Sequence, residues 1–456
     1  MKQTITASRL IALLLIGPAV ACSNLMAPDF NNPSIDELQE NPTRAGVIPA
    51  ATGLLVGARD NIAEFNGYIS LTGILGRESY NLDGADTRYA TEMYTGAVLN
   101  PGSPALGGNL WALRYKNIRN ANIVLNALNA LLDAPPEGMT PAEKEATRGF
   151  TKTIQALDFL LIINTRDVNG APIDVDRPIT DPPAPIESKE EVFAHIVSLL
   201  EEARTHLQAG GSEFPFPLSP GFAGFDRPAT FLEFNRALLA RVEVYRMEFD
   251  PGAAARALAA LNESFVSTAA PLDRGIYHVF SGGSGDLTNG LVDPDLFAHT
   301  SLEADAEQQP NGQLDARFLR KVAEGESRTL LNLTSDLRFA PLYPSPFAPV
   351  SIIRNEELIL LRAEANIGLG NVATAAQDIN FVRVNSGGLA PRNDLTAANI
   401  LDELLDQKRY SLVFEGGHRW IDMRRYGRLD ELPLDRPGDV VHAAFEIPVD
   451  EELARQ

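Results

Sequence analysis

The densest set of chemically capable residues lies near the C-terminus, in Phe414-Glu415-Gly416-Gly417-His418-Arg419-Trp420-Ile421-Asp422-Met423-Arg424-Arg425-Tyr426-Gly427. Glu, His, Asp and three Arg crowd around one of only two tryptophans. Such a cluster invites a catalytic reading, but nothing in it resembles a nucleophile held by a base. Paired Arg and carboxylate groups satisfy one another when partly buried. Glu415, His418, Arg419, Asp422 and Arg425 are therefore expected to form a structural network around Trp420 that ties the last helix to the core. Trp111 and Trp420 both fall at helix-packing positions, so both are assigned to the core as well.

The remaining reactive residue types show no catalytic spacing. The six histidines have no metal pattern: His195 and His206 are eleven residues apart, three turns distant on one helix face, and too far to share an ion. No HExxH, GxSxG or P-loop sequence occurs. Asp286-Leu287-Thr288-Asn289-Gly290, followed by Asp293 and Asp295, gathers oxygen ligands in a loop but lacks the EF-hand order. No metal, no cofactor and no enzymatic activity are expected.

The first residues supply a different kind of chemistry. Lys2 and Arg9 precede an apolar run from Leu10 to Ile16, and Ala19-Val20-Ala21 leads into Cys22, the only cysteine. The run is too short to span a bilayer, so residues 1–21 read as a secretory signal. A lone cysteine at the cleavage point is the pattern of lipid attachment to its thiol. Ala19 stands where such motifs usually have Leu. Ser23 follows, and no acidic residue holds a cytoplasmic-membrane retention position, which suits an outer-membrane destination. Several lipid chains would anchor the protein stably through their buried methylenes. Loss of Lys2 and Arg9 takes the formal charge from −21 to −23. A chain this acidic is a poor nucleic-acid binder. With no second cysteine, the chain has no intrachain disulfide, and stability must come from burial.

The elements that position these residues are mainly helical. Residues 22–44 are polar and broken by Pro, which suggests an extended tether; a helix is expected from Ala45 to about Asp60. Trp111 to Leu132 carries Trp111, Tyr115, Ile118, Asn122 and Leu125 on one face. Thr140-Pro141-Ala142-Glu143 and Ser188-Lys189-Glu190-Glu191 are capping boxes that open two further helices. Residues 231–249 with 252–266, and 356–369 with 372–384, form helical hairpins. Ala237, Ala240, Ala257, Ala363, Ala365 and Ala376 stand where helices would cross closely, as in tetratricopeptide repeats, although no strict 34-residue period aligns. Segments 64–110 and 267–350 break the helical pattern. A long irregular segment inside a compact body usually has a task. No linker divides the chain, so 45–456 is read as a single domain.

With these pieces in order, the chain resembles the SusD/RagB family of outer-membrane nutrient-binding lipoproteins. The resemblance runs through the Cys22 motif, Asn31-Asn32-Pro33-Ser34, WALRYKNIRNAN from Trp111, SKEEVFAHIVSLLEEA from Ser188, Asp293 to Phe297, Asp315-Ala316-Arg317, Arg354 into LILLRAEANIGLG, Ile379 to Arg383, and FEGGHRWIDMRRYG. One departure is Lys408 and Ser411, where the family usually has acids. The resemblance implies a tetratricopeptide-like scaffold of four helix pairs, tethered to the outer leaflet by lipid. It also implies a non-catalytic lid on a TonB-dependent barrel transporter, binding an oligomeric nutrient, usually a glycan.

A sugar site stacks aromatic rings on pyranose faces and adds polar groups for the hydroxyls. With both tryptophans in the core, Tyr or Phe must serve. The expected ligand segment is therefore Arg77, Tyr80, Asn81, Asp83, Arg88 and Tyr89, with Phe280 from a second loop that also holds Tyr277 and Phe297. Three alternatives remain open: a peptide ligand, a helical-repeat envelope scaffold with no nutrient ligand, and a surface hydrolase, which the missing motifs disfavour most.

Overall fold

The computed structural model describes residues 35–178 and 180–456. The signal segment, Cys22 and Asn31-Asn32-Pro33-Ser34 lie outside the described residues. Fifteen α-helices carry the described chain: α1 (Ile35–Glu40), α2 (Arg44–Arg59), α3 (Tyr68–Leu75), α4 (Gly108–Ala130), α5 (Pro141–Arg166), α6 (Lys189–Ala209), α7 (Pro228–Arg246), α8 (Ala253–Asn262), α9 (Ser301–Ala304), α10 (Ala316–Lys321), α11 (Asn355–Gly368), α12 (Val372–Asn385), α13 (Ile400–Ser411), α14 (His418–Arg425) and α15 (Val449–Leu453). Six short strands join them: β1 (Ser79–Asn81), β2 (Gly275–His278), β3 (Leu296–Ala298), β4 (Ala323–Leu330), β5 (Leu333–Arg338) and β6 (Val350–Arg354).

Helices pack in succession as α2 on α4, α5 on α6, α7 on α8 and α11 on α12, with α4 on α5 and α6 on α7 joining the pairs. This is the expected tetratricopeptide-like scaffold, and its local causes are visible. Thr140 and Glu143 cap each other across the first turn of α5, and Ser188 and Glu191 do the same at α6. Ala237, Ala240, Ala257, Ala363 and Ala365 are fully buried where helices approach. In α12 the close-packed alanine is Ala375, and Ala376 is only half-buried.

Two expectations need correction. The end of the expected extended tether is helical, since α1 places Leu38 against the core. The expected irregular stretch 64–110 contains α3, and every residue of that helix is buried. A helix covered on all sides shows no polar face, so periodicity cannot reveal it.

The insertion 267–350 folds as antiparallel two-stranded pairs: β2 with β6, β3 with β1 and β4 with β5. In β2, Ile276 and His278 point inward while Gly275 and Tyr277 face outward, the alternation of a half-buried strand. The β2–β6 pair fixes the insertion directly onto the start of α11, because β6 ends at Arg354.

Candidate functional site

The C-terminal motif builds a buried joint. Its turn puts Phe414 and Gly417 in left-handed backbone conformations, with φ of 55° and 71°. A β-carbon on Gly417 would lie 2.5 Å from the Thr72 hydroxyl, so only glycine fits there. Phe414 stacks on Phe339 at 4.2 Å, and its carbonyl accepts from the Tyr343 hydroxyl at 2.7 Å. Glu415 accepts from Arg354 Nε at 2.9 Å and from Lys321 Nζ at 2.6 Å. The motif thus clamps the 339–354 segment to the helical scaffold.

Its second half is a fully buried ion cluster. Lys408 Nζ lies 2.8 Å from Glu364 Oε2 and 2.7 Å from Asp422 Oδ2, and Arg425 also pairs with Glu364. Burial pushes the Glu364 carboxyl up, but Arg425 and Lys408 outweigh it and hold the group down at about 2. Lys408, one of the two departures from the family pattern, therefore supplies the cation this cluster needs. Ser411, the other, donates to Glu356 at 2.6 Å and accepts from Arg317 at 3.1 Å. Trp420 is completely buried and donates its indole N–H to the His442 carbonyl at 2.9 Å. Burial, reinforced by the nearby Arg241, drives the His418 imidazole well below its ordinary pKa and keeps it neutral. Arg419 is half-buried beside the joint. Trp111 packs against Tyr115 at 4.7 Å. Glu415, Trp420, Asp422 and Arg425 thus join elements remote in the chain.

The expected ligand segment is largely internal. Arg77 donates to the Ile74, Pro433 and Val440 carbonyls, tying this segment to the C-terminal tail. Tyr80 is 2% exposed, stacks on His299 at 4.6 Å and donates to Asp435 at 3.0 Å. Asn81 bonds the Phe65 carbonyl, and Tyr89 meets Phe65 edge-on at 6.1 Å. Phe280 and Phe297 are buried too. All four rings are buried, which leaves them no open face for a ligand. Asp83 and Arg88 remain partly exposed, and Arg88 pairs with Asp86 at 2.5 Å. The oxygen-rich loop is likewise engaged: Asp286 pairs with Arg59 and Asp295 with Arg328. Among the described residues, no group of three or more His, Cys, Asp or Glu could hold a metal ion.

The open space lies on the other side of the insertion. A cleft of about 790 Å³ runs between the 341–349 loop, β6 and the ends of α10 and α12. Tyr277, Phe347, Arg320, Asn385 and Ser386 face it, and Lys321, Arg354, Glu356 and Glu415 form its floor. Phe347 is 52% exposed. A second cleft of about 430 Å³ adjoins it and shares Asp273, Tyr277 and Pro349. Tyr277 belonged to the second loop singled out in the sequence, whereas Phe347, Arg320 and Asn385 carried no local signal. The Pro-flanked aromatic of YPSPFAP was the one available hint.

Residues 348–449, which hold the Phe414–Gly427 motif and Arg354, Glu356 and Glu415 of the cleft floor, match the family model described as the SusD family. That match covers the C-terminal segment of the chain. Solved structures place the SusD-like fold over nearly its whole length. A SusD-like carbohydrate-binding protein from Bacteroides fragilis is 14% identical, with a TM-score of 0.67 over 87% of this chain and 88% of that one. A SusD superfamily protein from Parabacteroides distasonis is 15% identical, with a TM-score of 0.65 over 89% and 97%. A laminarin-binding SusD-like protein is 18% identical, with a TM-score of 0.62 over 90% and 97%. No curated protein matches the sequence. At these identities the structural likeness carries the SusD-like fold, and the ligand must be argued from this chain.

Proposed function

We propose that this SusD-like chain is a cell-surface lipoprotein, anchored through Cys22 to the outer membrane, which captures an oligomeric nutrient and delivers it to a TonB-dependent transporter. The observation that supports this reading best is the paired cleft. It is a large, open, loop-built cavity on a rigid helical scaffold, with aromatic edges and converging polar groups. Such a lining suits a glycan: Tyr277 and Phe347 offer ring surface, while Arg320, Asn385 and Ser386 offer hydrogen bonds to hydroxyls. The carbohydrate-binding and laminarin-binding descriptions of two structural relatives point the same way.

The cleft walls also favour a second reading, a peptide ligand. Asp273 and Arg320 both line the cleft, with the Arg320 guanidinium held by the Ser386 carbonyl and hydroxyl. Two charges of opposite sign on one wall suit a peptide's own charges.

The decisive experiment is affinity capture of the tagged, lipidated protein from detergent-solubilised outer membranes. A stoichiometric TonB-dependent barrel is the expected companion, and Cys22→Ser should release the protein from the membrane fraction. Recovery of envelope-assembly proteins in place of a barrel would move the assignment to a scaffold role.

A further inference from the structure

The two clefts on the insertion side differ in chemistry although they share a wall. The smaller is lined by Pro220, Ala223, Phe225, Val279 and three glycines, a mainly apolar surface, with Asp273 and Arg274 at its edge. The larger carries Arg320, Asn385, Ser386 and the exposed ring of Phe347. Tyr277 stands between them. Strand alternation turns its side chain outward from β2, and its hydroxyl donates to the Asp273 carbonyl, which fixes the ring. Backbone approach on the small-cleft side is extreme: a β-carbon on Gly221 would lie 1.9 Å from the Tyr277 carbonyl oxygen. The position of Tyr277 is thus set by its strand, its hydroxyl bond and a glycine contact.

We propose that the two clefts are consecutive subsites for an oligosaccharide, with at least one sugar unit in each, and that Tyr277 is the specificity-determining residue at their junction. This rests on the nutrient-binding reading above. Neither cleft encloses a ligand, so one unit alone gains little contact. A second unit on the same chain binds at high effective concentration, and affinity climbs with chain length until both subsites are filled. The apolar subsite accepts the flat face of one ring, and the polar subsite satisfies the hydroxyls of the next.

Calorimetric titration of the full-length protein tests this with ladders of one to six units: α-1,4- and β-1,3-gluco-oligosaccharides, cello-, xylo- and chito-oligosaccharides. At least one ladder should gain roughly tenfold or more in affinity between one and three units and then level off. Tyr277→Ala, which removes the wall common to both clefts, should abolish most of that gain and weaken the longer oligomers more than the single unit. Phe347→Ala, at an exposed position with little risk to folding, should weaken the longer oligomers several-fold. Equal affinity at all lengths, or both variants binding like the parent, overturns the subsite assignment and leaves nutrient binding intact. Failure of every ladder, with a peptide library binding instead, overturns the subsite assignment and the glycan reading together.

Discussion

Tyr80 shows how one residue can look like a binding group and be a packing group. Its neighbours in sequence are polar and irregular, which suggested a surface ring. In the folded chain it is sealed between His299 and the Asp435 carboxylate. Tyr80→Ala should therefore destabilise the protein by about 3–5 kcal/mol, in the range of other large buried aromatics, with no selective effect on ligand affinity. Urea unfolding beside a binding titration checks this, and a stable variant with weakened binding would restore the original reading. Its neighbour Glu78 is more unusual. The carboxyl is 1% exposed and its oxygens lack a well-formed hydrogen bond. Burial raises its pKa to about 8, only partly offset by the nearby Phe414 amide and by Arg419, Lys321 and Arg409. The unfolded group loses its proton near 4.5. Between these values the folded state binds more protons, so stability falls as pH rises from about 4.5 to about 8. Glu78→Gln mimics the protonated acid. It should flatten that slope and gain about 1–4 kcal/mol at pH 8, read from urea midpoints at pH 5 and pH 8. An unchanged slope would show that another group controls it.

Helix-to-helix attachment depends on buried charge as well as on apolar stripes. Lys408 on α13 is held between Glu364 of α11 and Asp422 of α14, all nearly free of solvent. Removing one member of such a cluster strands the others without compensation. Lys408→Ala should cost about 3–5 kcal/mol and loosen α14 first, seen as faster amide exchange in 418–425. Loss of protection confined to α12 would contradict this account. The two capping boxes were plain in the sequence because they depend on residues three apart. The fully buried α3 was not, because its apolar residues face every direction.

Across the whole molecule, one apolar core runs from α2 through the helix pairs to the C-terminal motif, with smaller clusters under α11–α13 and α14. The insertion is bolted to that core through β6, Phe339 and Tyr343. Scanning calorimetry of the chain should accordingly show one dominant cooperative transition, despite its length. Two well-separated transitions of similar enthalpy would mean that 267–350 or the N-terminal helices unfold independently.

The sequence by itself determined the helical scaffold, its caps and the pairing of its hairpins. All of these rest on interactions between residues a few positions apart. Only the tertiary structure decided which aromatics are free. Tyr80 is covered by His299 and Asp435, remote in the chain, and Tyr89 and Phe280 are buried, while Tyr277 and Phe347 are left facing a cleft that no single segment forms. Exposure of a ring depends on what packs across it, and that partner is fixed by the path of the whole chain.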